Sequence, residues 1–123
     1  MRRLITLLIA LILVAPVTAA AQQPEGKDTI LIYTGTTGYR HDSIPAGIKA
    51  VSNLAAQRGL RVIASEDPSV FSAASLKRFR AIVLLSCTTD PKSPASEWLV
   101  GERRDALQQF VRDGGGILAI HAA

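Results

Sequence analysis

Two histidines are present in the sequence, and each lies close behind an apolar, strand-like run. His41 closes the cluster Gly38, Tyr39, Arg40 in "TGTTGYRHDS" (34 to 43), and His121 ends "GILAIH" (116 to 121). A pair of imidazoles can exchange a proton, hold a water or ligate a divalent metal. Arg40 adds a forked cation suited to a carbonyl or anionic oxygen. Behind a third apolar run, "AIVLLSC" (81 to 87), Thr88 and Thr89 supply two hydroxyls. His41 and His121 are therefore the candidate catalytic residues and, if a metal binds, its candidate ligands. Gly38, Tyr39, Arg40, Thr88 and Thr89 are the candidate substrate-binding residues. Each has a plainer alternative: His41 braces a helix start, Arg40 is a solvated loop cation, and Tyr39 packs on the rim of a sheet.

The elements that must position these residues follow from periodicity. "TILIYT" (29 to 34), "LRVIAS" (60 to 65), "AIVLLSC" and "GILAIH" are short and nearly continuous in apolarity, as in parallel strands covered on both faces. Between the first two, Ile44, Ile48, Val51 and Ala55 form the buried stripe of a helix. Asp42 or Ser43 is its N-cap, Pro45 fits its first turn, and Gly59 stops it. A short helix is expected in "SAASLKRF" (72 to 79). A third carries Ala106, Leu107, Phe110 and Val111 and ends at Gly114 to Gly116. The alternation is that of an open α/β sheet with right-handed crossovers. Ligands in such sheets bind beyond the carboxyl ends of the strands. That rule selects the loops 35 to 43 and 88 to 90 and whatever follows His121. Glu66 and Asp67 also follow a strand, where an acid can hold a sugar hydroxyl, although Asp67-Pro68 is equally a turn start.

The Gly- and Thr-rich loop has rival readings. Gly35 and Gly38 are spaced G-x-x-G, not the G-x-G-x-x-G of a dinucleotide site. "IYTGTTG" is similar to the phosphate loop of a flavodoxin, where amides and hydroxyls hold the FMN phosphate. Arg40 and His41 stand where a flavodoxin continues with a small hydroxyl residue, so neither flavin nor NAD is expected. Gly114 to Gly116 form either an anion nest or, more simply, a helix stop.

Arg2 and Arg3, the uncharged run Leu4 to Val17 and the small residues Ala19 to Ala21 have the order of a secretory signal peptide. The run is shorter than the roughly 20 apolar residues of a spanning helix, so no stable membrane insertion is expected once it is removed. The expected organisation is a signal peptide over 1–21, a linker over 22–28 and a domain over 29–123, secreted or periplasmic. Without the two signal arginines, the 14 basic residues become 12 against 10 acidic ones, a net charge near +2. So weak a charge, with no basic stripe, does not suggest nucleic acid. Cys87 is the sole cysteine and reads as a buried, inert thiol.

Taken together, "IYTGTTGYRHDSIPAGIKAV", "ASEDPSVF" and "FVRDGGGILAIHAA" resemble the ThuA-like family, named for trehalose utilisation, from about Thr29 to Ala123. The resemblance implies a flavodoxin-like three-layer sandwich like that of class I glutamine amidotransferases, with a parallel sheet in the order 2-1-3-4. It also implies a small carbohydrate as partner, including an oxidised (3-keto) glycoside. Where the amidotransferases carry a nucleophilic Cys after a strand, this chain has His121, so glutaminase chemistry is not implied. Family domains extend past the "GIHAA"-type stretch, which implies a sheet incomplete at its C-terminal side. A non-catalytic sugar-binding or interaction module is the alternative, and an FMN-binding flavodoxin-like protein a lesser one. In the order 2-1-3-4 the first and fourth strands lie about 10 Å apart, at roughly 4.8 Å per spacing, so His41 and His121 are expected to face one cleft.

Overall fold

A computed structural model of the chain describes residues 28–123. The expected signal peptide and nearly all of the linker fall outside the described residues. Strand β1 is Thr29–Tyr33, helix α1 Ile44–Ala56, β2 Arg61–Ser65, α2 Ala73–Leu76, β3 Ala81–Leu85, α3 Glu102–Arg112 and β4 Gly116–Ile120. All neighbouring strands pair in parallel, in the order β2-β1-β3-β4.

Alternate residues of the two central strands build two cores. Leu31, Tyr33, Ile82 and Leu84 pack with Phe71, Leu76, Phe79, Trp98, Leu107 and Phe110 on the side of α2 and α3. Ile32, Val83 and Leu85 face the other way, against Ile48 and Val51 of α1. Helices thus cover both faces, and the flavodoxin-like sandwich follows from the period-two side-chain alternation of β1 and β3. Burying a side chain such as Leu31 or Ile32 completely contributes about 1.5–3 kcal/mol.

The outer strands depart from the expectation of two covered faces. Ile63 of β2 is 43% exposed, and Ile117 and Leu118 of β4 are 47% and 54% exposed. An apolar run reports the tendency to be buried, whereas position in the sheet decides how many neighbours a strand has. Only β1 and β3 are flanked on both edges.

Helix α1 begins as expected at Ser43, although the Ser43 side chain caps nothing. Instead Pro45 sets the first turn, and the Gly47 amide donates to the Ser43 carbonyl at 2.9 Å. The helix stops at Gly59, whose φ of +68° lies in the left-handed region that glycine enters without strain. The long connection before α3, which the sequence leaves undefined, holds a 3-10 turn over Pro94–Ser96 and returns Trp98 to the core.

From β1 the chain runs outward to β2, and from β3 outward to β4 in the opposite direction. The carboxyl ends of β1 and β3 therefore flank the topological switch point, where open α/β sheets form a crevice.

Candidate functional site

The loop after β1 is latched to the loop after β3. One acceptor, the Thr88 carbonyl, receives the Thr36 hydroxyl at 2.8 Å, the Thr37 amide at 3.1 Å and the Gly38 amide at 3.0 Å. The Thr37 hydroxyl donates to the Ser96 carbonyl. Donors that a phosphate loop would present to an anion are thus spent on the neighbouring loop. Gly38 is required by proximity: a Cβ there would lie 2.6 Å from the Thr89 carbonyl carbon. Thr89 donates its hydroxyl to Glu97 at 3.1 Å, while the Thr88 hydroxyl is buried with no partner among the described residues. Thr88 thus joins the two loops through its backbone carbonyl, while the Thr89 side chain bonds within its own loop.

This latch carries Tyr39, Arg40 and His41 to the rim. Tyr39 is 68% exposed, and its ring meets that of His41 edge to face with centroids 4.8 Å apart. His41 in turn meets His121, with centroids 4.5 Å apart and planes at 83°. Residues 80 positions apart in the chain thereby form one line of three rings. His121 reaches this line from a left-handed backbone conformation, φ +59°, just past β4. Ser86, just past β3, adopts a similar conformation with φ +52°, and its amide donates to the Ile120 carbonyl at 3.1 Å. Two adjacent strand ends are thus held in a geometry that costs a non-glycine residue about 1–3 kcal/mol, of the kind that accumulates at functional sites.

Arg40 points to Glu66, at the end of β2, with Nη2 to Oε1 at 2.6 Å. Both side chains are about half exposed, and the hydrogen bond that Arg40 donates to the Glu66 carboxylate raises the guanidinium pKa. No local pattern marks this pairing, which depends on β2 lying beside β1. Asp67 resolves as a turn start: its carboxylate accepts from the Ser69 hydroxyl and amide, which hold its pKa below the usual value.

Beneath the rim, Tyr33, Phe71 and Trp98 pack ring against ring at 4.5–4.9 Å. Sequence reasoning passed over Trp98, because no periodicity marks a residue anchored from an irregular connection. Cys87 lies in this layer and donates its thiol to the Tyr33 carbonyl at 3.2 Å. Burial pushes its pKa up to about 11, the reverse of an activated nucleophile. A separate groove of about 640 Å³, between Phe71, Ala73 and the α3 residues Arg103, Ala106 and Arg112, includes none of the candidate residues.

The family profile described as trehalose utilisation, ThuA, matches residues 29–123. The chain belongs to the ThuA family. A solved ThuA-like protein from Bacteroides uniformis ATCC 8492 shares the fold, with a TM-score of 0.56 and 22% identity. The match covers 85% of this chain and 40% of that one, so the present ThuA chain spans less than half of its structural relative. No curated protein matches it.

Proposed function

We propose that this ThuA chain is an exported carbohydrate-handling protein and that its site is the rim formed by Tyr39, Arg40, His41 and His121. The observation that carries the proposal is the contact between the two histidine rings at the switch point of the sheet. The exposed face of Tyr39 offers a sugar ring an apolar platform. Arg40 and Glu66 offer donors and an acceptor to neighbouring hydroxyls. In an oxidised glycoside the carbon beside the 3-keto group carries an acidic proton. One imidazole is suited to remove it while Arg40 holds the carbonyl oxygen. The resulting enolate can expel the glycosidic oxygen, with the second imidazole returning a proton to the leaving group.

Trp98, the only tryptophan, packs under these loops and serves as a built-in reporter. Its fluorescence should change saturably on titration with trehalose or a 3-keto glycoside. Proton NMR of the mixture should show consumption of the oxidised glycoside. Saturable binding without consumption would replace the enzyme with a binding module. Absence of any response to either sugar would remove the proposal.

A further inference from the structure

We infer that His41 and His121 chelate a late first-row divalent metal ion, of the zinc, nickel or cobalt type. Two imidazole nitrogens bound to one ion at about 2.1 Å place their ring centroids roughly 4.6 Å apart at a right angle and roughly 5.3 Å apart at a tetrahedral angle. The observed separation is 4.5 Å before any adjustment. The rings meet edge to face, so a shared ion requires them to turn about their Cβ–Cγ bonds until a nitrogen of each faces the ion. That torsion is broad for histidine and the turn is cheap. His121 is exposed and His41 only half-buried, so an ion can approach and the rings have space to move.

Backbone position supports the same conclusion. The latch through Thr88 fixes the loop bearing His41, and the bond from the Ser86 amide to the Ile120 carbonyl fixes the residue before His121. Two ligands positioned in advance bind as a chelate, the second at a high effective concentration once the first is bound. Imidazole nitrogen favours zinc, nickel, cobalt and copper over magnesium and calcium. Among the described residues, no third His, Cys, Asp or Glu completes a ligand cluster. With two imidazoles as its ligands among the described residues, the ion would keep coordination positions open to water or to ligand oxygens.

The chain has only two histidines, which makes the test direct. Untagged protein in a non-chelating buffer is titrated with Zn²⁺ against a chromophoric competitor, and separately with paramagnetic Co²⁺ while the imidazole proton resonances are followed by NMR. One equivalent of Zn²⁺ should bind in the micromolar range, and Co²⁺ should broaden both imidazole signals together, while Mg²⁺ does neither. His41→Ala and His121→Asn should each weaken zinc binding at least tenfold, and Cys87→Ala should leave it unchanged. Zinc binding that is absent up to millimolar metal, or unaffected by both histidine substitutions, would overturn the inference. So would broadening of one imidazole alone, a readout that needs no variant. The measurement contains no sugar, so its outcome is separable from sugar binding by Tyr39, Arg40 and Glu66; an occupied metal site would take both imidazoles out of the acid and base roles proposed above.

Discussion

At the scale of single residues, the histidines are separable from stability. Neither contributes to the two cores, so His41→Ala should stay within about 0.5 kcal/mol of the parent in a denaturant melt, as surface changes do. His121 requires a different replacement because of its positive φ. Asn tolerates the left-handed region better than Ala, so His121→Asn isolates loss of the imidazole from backbone strain. Both variants should lose the sugar response while unfolding at nearly the parental midpoint. Loss of fold in both would instead make the histidines structural. Buried acids set the alkaline limit. Burial raises Tyr33 from 10.0 to about 12 and Cys87 from 9.0 to about 11, since each is kept neutral in the core. Groups with raised native pKa values contribute their full stability below the unfolded values and lose it as pH climbs through the native ones. The denaturant midpoint should therefore hold up to about pH 9 and fall from there to about pH 12. Cys87→Ala should move the onset of the fall to about pH 10, where Tyr33 begins to titrate in the unfolded chain. A midpoint flat across that range would contradict the burial argument.

At the scale of elements, the site depends on the latch between the β1 and β3 loops and on the aromatic layer beneath it. Gly38→Ala forces a methyl against the Thr89 backbone, which cannot retreat without breaking the three bonds to the Thr88 carbonyl. A cost of about 1–3 kcal/mol is expected from such overpacking. It should come with a loss of sugar response disproportionate to the loss of stability. Trp98→Phe or Trp98→Ala tests the layer. Truncation to Ala should cost about 3–5 kcal/mol, as for other buried large aromatics, and Phe considerably less. Urea midpoints for the three variants measure both effects.

At the scale of the whole molecule, β4 is an apolar edge. It has no charge and no proline, and its Ile117 and Leu118 are about half exposed. Strands of that kind recruit further strands. The purified chain should self-associate in sedimentation velocity runs, and Leu118→Lys should shift the distribution toward monomer. A monomer with a sharp cooperative melt would go against this expectation. The N-terminal segment raises a separate question of processing. Protein recovered from the periplasm or medium should have an intact mass that begins near Gln22, and retention of Leu4 to Val17 would refute export with cleavage.

The number, type and order of the elements were legible in the sequence, because strand apolarity, the Ile44–Ile48–Val51–Ala55 stripe and the glycine stops are all local signals. So was the place of the candidate residues on one rim, because in a parallel sheet every strand's carboxyl end lies on one side. Three things were decided only in three dimensions. The loop that resembled a phosphate cradle uses its donors on the Thr88 carbonyl, a partner some fifty residues away that no local pattern could reveal. Arg40 and Glu66 meet because β2 lies beside β1, which depends on strand order. His41 and His121 touch because two strand ends adopt unusual positive-φ geometry and a latched loop leans toward them. Residue type shows what chemistry is available, whereas packing distances set which groups share it.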